Sequence, residues 1–427
     1  MIIRELNLTN FRGFEGTREF KFAENFTVIA GVNGRGKTTI IDAIRFSAGR
    51  LIPQISKARG QYPKITKYDV NNKSIEGKFT IELVTNCAGY PLKFNLTFDW
   101  HSNKAVPTRL PKAVAQNVAS AYGEDPNSDD DAAPLVVCYT TDRASFRLPK
   151  KLPREIPPIA KAAFGGALVN RTVDYRDLAH RLKALQIDAI HPGETARRMH
   201  LAMMHVVSTL LDGFDALRLI ENPLGILIDK SGNTFELFQL SDGERSLFAM
   251  AADLSRRLTL ANPRLENPLE GSGVVLIDEL ELHLHPKWQR TIAETLRTIF
   301  PKIQFICTTH SPFVIQSMRE GEVINLDGQP IIGVGNLSVG TIAHGLMGID
   351  RPDVSVRYEE MVKVAKNYLL EIEEASNSPA ERLAQFEKQL ADRVEPYADN
   401  PAFQAFLELK REARLGPIRT QNSGDAN

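Results

Sequence analysis

The chain has 427 residues, 43% hydrophobic and 24% charged, with 52 Lys and Arg balanced by 52 Asp and Glu. Such a composition fits a globular protein of two or three compact units. A net charge of zero offers no global attraction to nucleic acid or to a membrane surface, and no apolar run approaches the ~18 residues of a membrane span.

The three cysteines (Cys87, Cys138, Cys307) are far apart and form no CxxC pair. Two lie in strand-like apolar runs, where a buried free thiol is the expected state. With no N-terminal signal pattern, the expectation is a cytoplasmic protein.

In chain order, "NFTVIAGVNGRGKTTIIDAIRFSAG" holds the first strong signal. Phe26 to Ala30 reads as a buried strand, and Ile40, Ile41, Ala43, Ile44 and Phe46 follow a helical period. Between them runs Gly31-x-x-x-x-Gly36-Lys37-Thr38, a phosphate-binding loop in its required strand–loop–helix context. Its glycines, with Asn33, Gly34 and Thr39, let backbone N–H groups surround phosphate oxygens at a helix N-terminus. Lys37 would reach the β- and γ-phosphates of ATP, and the Thr38 hydroxyl would ligate Mg²⁺.

Residues 51–217 form a long insert. "EGKFTIELV" and "LKFNLTFDW" alternate like paired antiparallel strands. "YGEDPNSDDDAAP" carries five acids and no base, and reads as a mobile surface loop. Residues 143–186 hold ten Arg or Lys against three acids and are the one basic segment with a claim on nucleic acid; docking of a partner, or mere solvation, explains them equally well. Residues 194–212 read as a short helix, and no long heptad arm is present.

"LSDGERSLFAM" opens a helix with Leu247, Ala251, Leu254 and Leu258 at spacings of three and four. Ser241 and Glu244 form a capping box there, and an exposed helix N-terminus also binds anions. "GVVLIDE" then ends a buried strand in Asp278 and Glu279, at the sheet edge where α/β folds bind ligands. Asp278 would hold Mg²⁺ and Glu279 would polarise the attacking water. His283 and His285 alternate with leucines and belong to a structural loop rather than a metal site. After a helix from Pro286 to Ile299, "IQFICTTHSP" ends in His310, placed as a sensor of the γ-phosphate. Further on, Ser378-Pro379-x-Glu381 caps another helix, and Asn400-Pro401 starts the last, ended by Gly416.

Phosphate loop, "LSDGE", "VVLIDE" and "TTHS", in that order, resemble the ATP-binding-cassette (ABC) ATPase superfamily. "MIIRELNLTNFRGFEG" ahead of the loop is similar to the RecF, SMC and OLD branch. "LSDGERSLFAMAADLSRRL" and "IDELELHLHPKWQ" resemble the AAA-type ATP-binding proteins of phage defence, above all the PtuA family of the Septu and retron-associated systems. The resemblance implies a P-loop NTPase of α/β class: an ABC-like head at 1–345, made of a lobe at 1–50, a β and helical insert at 51–217 and a signature and Walker B lobe at 218–345. A helical appendage at 346–416 and a disordered tail at 417–427 complete it.

It also implies that Ser241, Gly243 and Glu244 of one chain close over the ATP held by another, giving a homodimer or higher oligomer. Arg12, in the family's "NFR", approaches the nucleotide. The metal-ligating Q-loop residue is not fixed among Gln54, Gln61 and Asp69, with Asp69 preferred. OLD-type enzymes add a Toprim nuclease, but no DxD pair occurs in the final 120 residues, nor an HNH-like histidine cluster. The expectation is an ATPase that controls a separate nuclease, plausibly of HNH type, in antiviral defence. The alternative is a RecF-like repair ATPase that holds DNA through an ATP-closed dimer.

Overall fold

The computed structural model describes residues 1–56, 62–122, 134–144, 146–147, 163–169, 173–174, 179, 182–183, 194–221, 224–262, 265–328, 333–375, 396 and 400–415. The expected acidic loop, most of the basic segment, Gln61, the cap at Ser378 and the tail fall outside them. The chain divides into two units, Met1–Gly348 and Ile349–Asn427.

The two five-stranded sheets of the first unit have a helix between them. Strands β1 (Ile2–Thr9), β2 (Thr17–Lys21), β4 (Lys78–Cys87), β5 (Tyr90–Asp99) and β6 (Lys104–Pro107) form an antiparallel sheet ordered β2-β1-β4-β5-β6. Strict alternation in β4 and β5 buries Phe79, Ile81, Leu83, Phe94, Leu96 and Phe98 on one face, as the pattern predicts. Helix α1 (Lys37–Ile55) packs Ile40, Ile41 and Ile44 into that same core.

The central sheet is wholly parallel, ordered β15-β3-β14-β13-β7, from β3 (Phe26–Ala30), β7 (Leu135–Tyr139), β13 (Gly273–Ile277), β14 (Ile303–Thr308) and β15 (Val323–Asn325). Its strands are apolar without alternation because both faces are covered. Ile29, Val136, Val274, Leu276 and Ile306 point towards α1, while Phe26, Val28, Val137, Val275, Ile277 and Phe305 meet the helices of the other side. A short parallel pair, β8 (Phe146–Arg147) with β9 (Val173–Asp174), and a meander of β10 (Phe214–Glu221), β11 (Leu224–Lys230) and β12 (Asn233–Glu236) complete the strands.

Helices α2 (Lys112–Ala121), α3 (Glu194–Leu210), α4 (Asp242–Ala261), α5 (Pro286–Ile299), α6 (Pro312–Gln316) and α7 (Val339–Met347) belong to this unit. The sequence reads α4 as a two-faced helix, yet Ser246 to Ala261 are all buried. Its polar side chains are paired inside: Asp253 takes hydrogen bonds from Arg256 (2.8 Å), Arg257 (2.7 Å) and the Tyr139 hydroxyl (3.1 Å). Burial pushes the Asp253 carboxyl upward, but the two guanidiniums outweigh it and hold it down at about 2.

In the second unit, α8 (Val356–Ala375) and α9 (Pro401–Leu415) share a small core of Tyr368, Ile372 and Leu407. Asn400 caps α9 by accepting from the Phe403 amide at 3.1 Å.

Candidate nucleotide site

The phosphate loop leaves β3 at the carboxyl edge of the central sheet. Gly31, Gly34 and Gly36 adopt φ of 150°, 83° and 97°, a region glycine enters without strain. A Cβ on Gly36 would sit 2.8 Å from the Phe14 ring. Asn33 and Gly34 are exposed, as a loop that must meet a ligand requires, and Thr39 follows half-buried on α1. Lys37 is folded inward, donating to the carbonyls of Gly31 (2.8 Å) and Val32 (3.2 Å). Burial lowers its ammonium pKa, against the pull of Glu281, Asp278, Asp327 and Glu279. With four carboxylates around one ammonium the cluster is acidic, a surrounding that favours a divalent cation beside any phosphate that Lys37 binds.

Thr38 and Asp278, 240 residues apart, meet: the hydroxyl lies 3.1 Å from both Asp278 oxygens. A hydroxyl and a carboxylate side by side, both hard oxygen donors, suit Mg²⁺. Thr308, at the end of β14, donates to Asp278 Oδ1 at 2.6 Å and accepts the Glu279 amide at 2.8 Å. Glu279 itself has φ of 51°, unusual for any residue but glycine, and such strain collects at functional sites.

Two residues on, Glu281 accepts from the Thr309 hydroxyl (2.6 Å) and from the His310 backbone amide, which holds half-buried His310 beside the Walker B turn. His285 caps α5 through Nδ1, accepting the Lys287 amide at 3.2 Å. On the other flank, Asp327 accepts the Val32 amide at 2.9 Å and pairs with Arg35 at 2.6 Å, bracing the phosphate loop from β15.

Three of the residues expected to touch nucleotide or metal have protein partners on the flank of α1. Asp69 gives one oxygen to Arg12 Nε (2.8 Å) and the other to the Thr66 amide (2.7 Å) and hydroxyl. Arg12 is held between Asp69 and Asp42 (2.7 Å) over the rings of Phe11 and Phe46; it braces α1 rather than the phosphate loop. Gln54 is also spent, donating to the carbonyls of Arg50 and Thr108. The loop that leaves the sheet beside Asp278 and Glu279 follows β7, at Thr140 to Arg143, and not the region of Asp69.

The signature helix shows the same correction. Gly243 is buried, and a Cβ there would lie 2.4 Å from the His283 carbonyl, so its smallness serves contact with the Walker B turn. The Glu244 carboxylate accepts from the Ser241 hydroxyl (2.8 Å) and amide (3.0 Å) and pairs with Lys230. Burial would raise its pKa, but these partners lower it, so Glu244 closes the capping box instead of facing outward. Ser241 is exposed at the helix N-terminus.

The sequence reading missed Thr308, Glu281, Asp327 and Arg143. The first two stand inside quoted motifs, and Asp327 precedes a glycine at the end of β15. Arg143 was counted in the basic segment, yet it is only 3% exposed and turned inward.

The protein family described as "AAA domain, putative AbiEii toxin, Type IV TA system" matches residues 26–316, and "P-loop containing region of AAA domain" matches residues 3–46. The chain is 27% identical over 381 residues to "Retron Ec83 probable ATPase" of Escherichia coli, covering 74% of this chain and 70% of that protein. It is 24% identical over 341 residues to "Septu protein PtuA" of Bacillus thuringiensis, covering 76% of each. An SMC head solved with the C-terminal winged-helix domain of ScpA is 18% identical, with a TM-score of 0.46 over 73% of this chain and 90% of that one. The topology of the central sheet stands on its own strand pairings, and the family match spans more than half of the chain. This protein is a P-loop ATPase and belongs to the AAA-domain family of that description.

Proposed function

We propose that the chain hydrolyses ATP with Mg²⁺ as an oligomer, and that its nucleotide state governs a separate nuclease in antiviral defence inside the cell. The observation that supports the chemistry is the meeting of Lys37, Thr38, Asp278, Glu279 and His310 along one sheet edge. Thr38 and Asp278 would hold Mg²⁺, which neutralises charge on the phosphates. Lys37 binds the β- and γ-phosphates. The Glu279 carboxylate orients a water whose oxygen attacks the γ-phosphorus, as the bond to the β-phosphate oxygen breaks to leave ADP and phosphate. His310, beside the Walker B turn, would hydrogen-bond the γ-phosphoryl oxygens.

Support for an oligomer comes from Ser241, which is exposed at a helix N-terminus while its own chain's phosphate loop is braced by Asp327 and Lys37. Such an end suits the phosphates of ATP carried by a second copy. The names of the relatives, from retron and Septu systems, direct the reading to phage defence and to a nuclease partner, plausibly of HNH type. The repair alternative rests on the basic segment, whose first cation, Arg143, is buried.

The test is capture of the native protein at low salt with identification of what accompanies it. A stoichiometric nuclease supports the proposal. DNA alone, lost as salt is raised, would transfer the protein to the repair reading.

A further inference from the structure

Arg143 has no carboxylate within ion-pair distance among the described residues, although it is almost wholly buried. Arginine stays charged in proteins, so burial without an ion partner needs every donor satisfied and a reason to persist. Here the donors go to two places. Nη1 donates to the Asp278 carbonyl at 2.6 Å, and Nη2 donates to the carbonyls of Glu279 and Leu280, the latter at 3.2 Å. Nε donates to the Ser246 hydroxyl at 2.9 Å, on the second turn of α4.

These carbonyls belong to the turn that holds Glu279 at positive φ. The Glu279 amide is fixed from one side by Thr308 and its carbonyl from the other by Arg143. The same α4 meets this turn again where Gly243 abuts the His283 carbonyl. One buried side chain thus joins the helix that begins at Ser241 to the backbone of the residue that orients water.

We propose that Arg143 is a positioning residue that couples the signature helix to Glu279, so that nucleotide seated at Ser241 sets the geometry of hydrolysis at Asp278 and Glu279. This rests on the assignment of Glu279 and Ser241 to the reaction. Arg143 directs its donors at protein oxygens. It sets where the Glu279 peptide lies and makes that position depend on α4. A lysine could reach one carbonyl but could not bridge three carbonyls and a hydroxyl with a fixed fork.

The experiment uses the full-length protein with Mg²⁺, a fluorescent ATP analogue for affinity and phosphate release for turnover. Arg143→Met should keep analogue Kd within about twofold while kcat falls on the order of 10²-fold, the scale of a misplaced catalytic group. Arg143→Lys should recover only part of that loss. Ser246→Ala severs only the helix end of the link, so it should lower kcat about fivefold at unchanged Kd, the scale of one hydrogen bond.

Wild-type kcat in Ser246→Ala would overturn the coupling, whatever Arg143→Met does and even if that variant does not fold. Parallel loss of Kd and kcat in folded Arg143→Met would overturn it too, as a structural effect. Glu279→Gln, run alongside, separates the premises. Normal turnover there removes Glu279 from the chemistry and the proposal with it, whereas an inactive Glu279→Gln beside a fully active Ser246→Ala rejects the coupling alone.

Discussion

Thr308→Val preserves the shape of a side chain with no solvent exposure and deletes its hydroxyl. Two bonds vanish: the donation to the Asp278 carboxylate at 2.6 Å and the acceptance of the Glu279 amide at 2.8 Å. A bond to a charged group contributes about 1.5–3 kcal/mol, and a stranded buried donor costs about 1–3 kcal/mol, so the pair predicts roughly 3–5 kcal/mol. At roughly 2.1 cal/mol/K per residue, the unit Met1–Gly348 unfolds with about 0.7 kcal/mol/K, which turns that loss into a fall of about 4–7 °C in Tm. Turnover at saturating ATP should drop on the order of 10²-fold, because the Glu279 amide loses its partner while only the carbonyl, held by Arg143 and the Leu282 amide, stays fixed. Thermal unfolding without nucleotide and phosphate release with it measure the two effects. Thr308→Ser, which keeps the hydroxyl, is the control and should retain most of both. A Thr308→Val protein that melts within about 1 °C of wild type and turns over normally would refute the assignment of these bonds.

Three other outcomes are expected. Gly243→Ala should lower Tm and turnover together, since its Cβ would press within 2.4 Å of the His283 carbonyl and overpacking of this kind costs about 1–3 kcal/mol; calorimetry and an ATPase assay check it. Asp69→Asn should lower stability by loosening Arg12 while leaving the Mg²⁺ concentration for half-maximal turnover unchanged, and a metal titration decides between that and a ligand role. The three thiols should resist a disulfide reagent in the folded protein. Burial pushes Cys87, Cys138 and Cys307 upward, Cys138 to about 12, so at pH 8 only about one Cys138 thiol in ten thousand is ionised; reaction should appear only on unfolding.

Local signals carried far in this chain. Apolar runs that end at glycine or acid marked β3 and β13, the run before Thr308 and Thr309 marked β14, and Pro286 marked the start of α5. The residues that brace the site left little trace because their partners are remote. Arg143 and Ser246 are separated by 103 residues, and Asp327 braces an amide 295 residues earlier. Arg143 also lies among other cations in sequence, so a composition count leaves nucleic acid, partner and solvent open for a side chain that the fold turns inward. Nothing local showed that β7, rather than the stretch after α1 that holds Asp69, lies beside β13. Gly243 and Glu244 stand in the expected motif, but the packing of α4 against the Walker B turn assigns them to its framework. The ion pairs of Asp253 with Arg256 and Arg257 are local to α4, but their burial follows from packing that brings Tyr139 from another strand.

The order of the central sheet has a bearing on synthesis. The antiparallel sheet draws on residues 2–107 alone, so it can form while the remainder is still being translated. The phosphate loop hangs from β3, whose neighbours β14 and β15 lie about 280 and 300 residues later. At the usual pace of about 5–20 residues per second, the N-terminal half of the nucleotide site waits roughly 15–60 s for the strands that complete it. A nascent or prematurely terminated chain therefore carries a recognisable phosphate loop with no carboxylates opposite it.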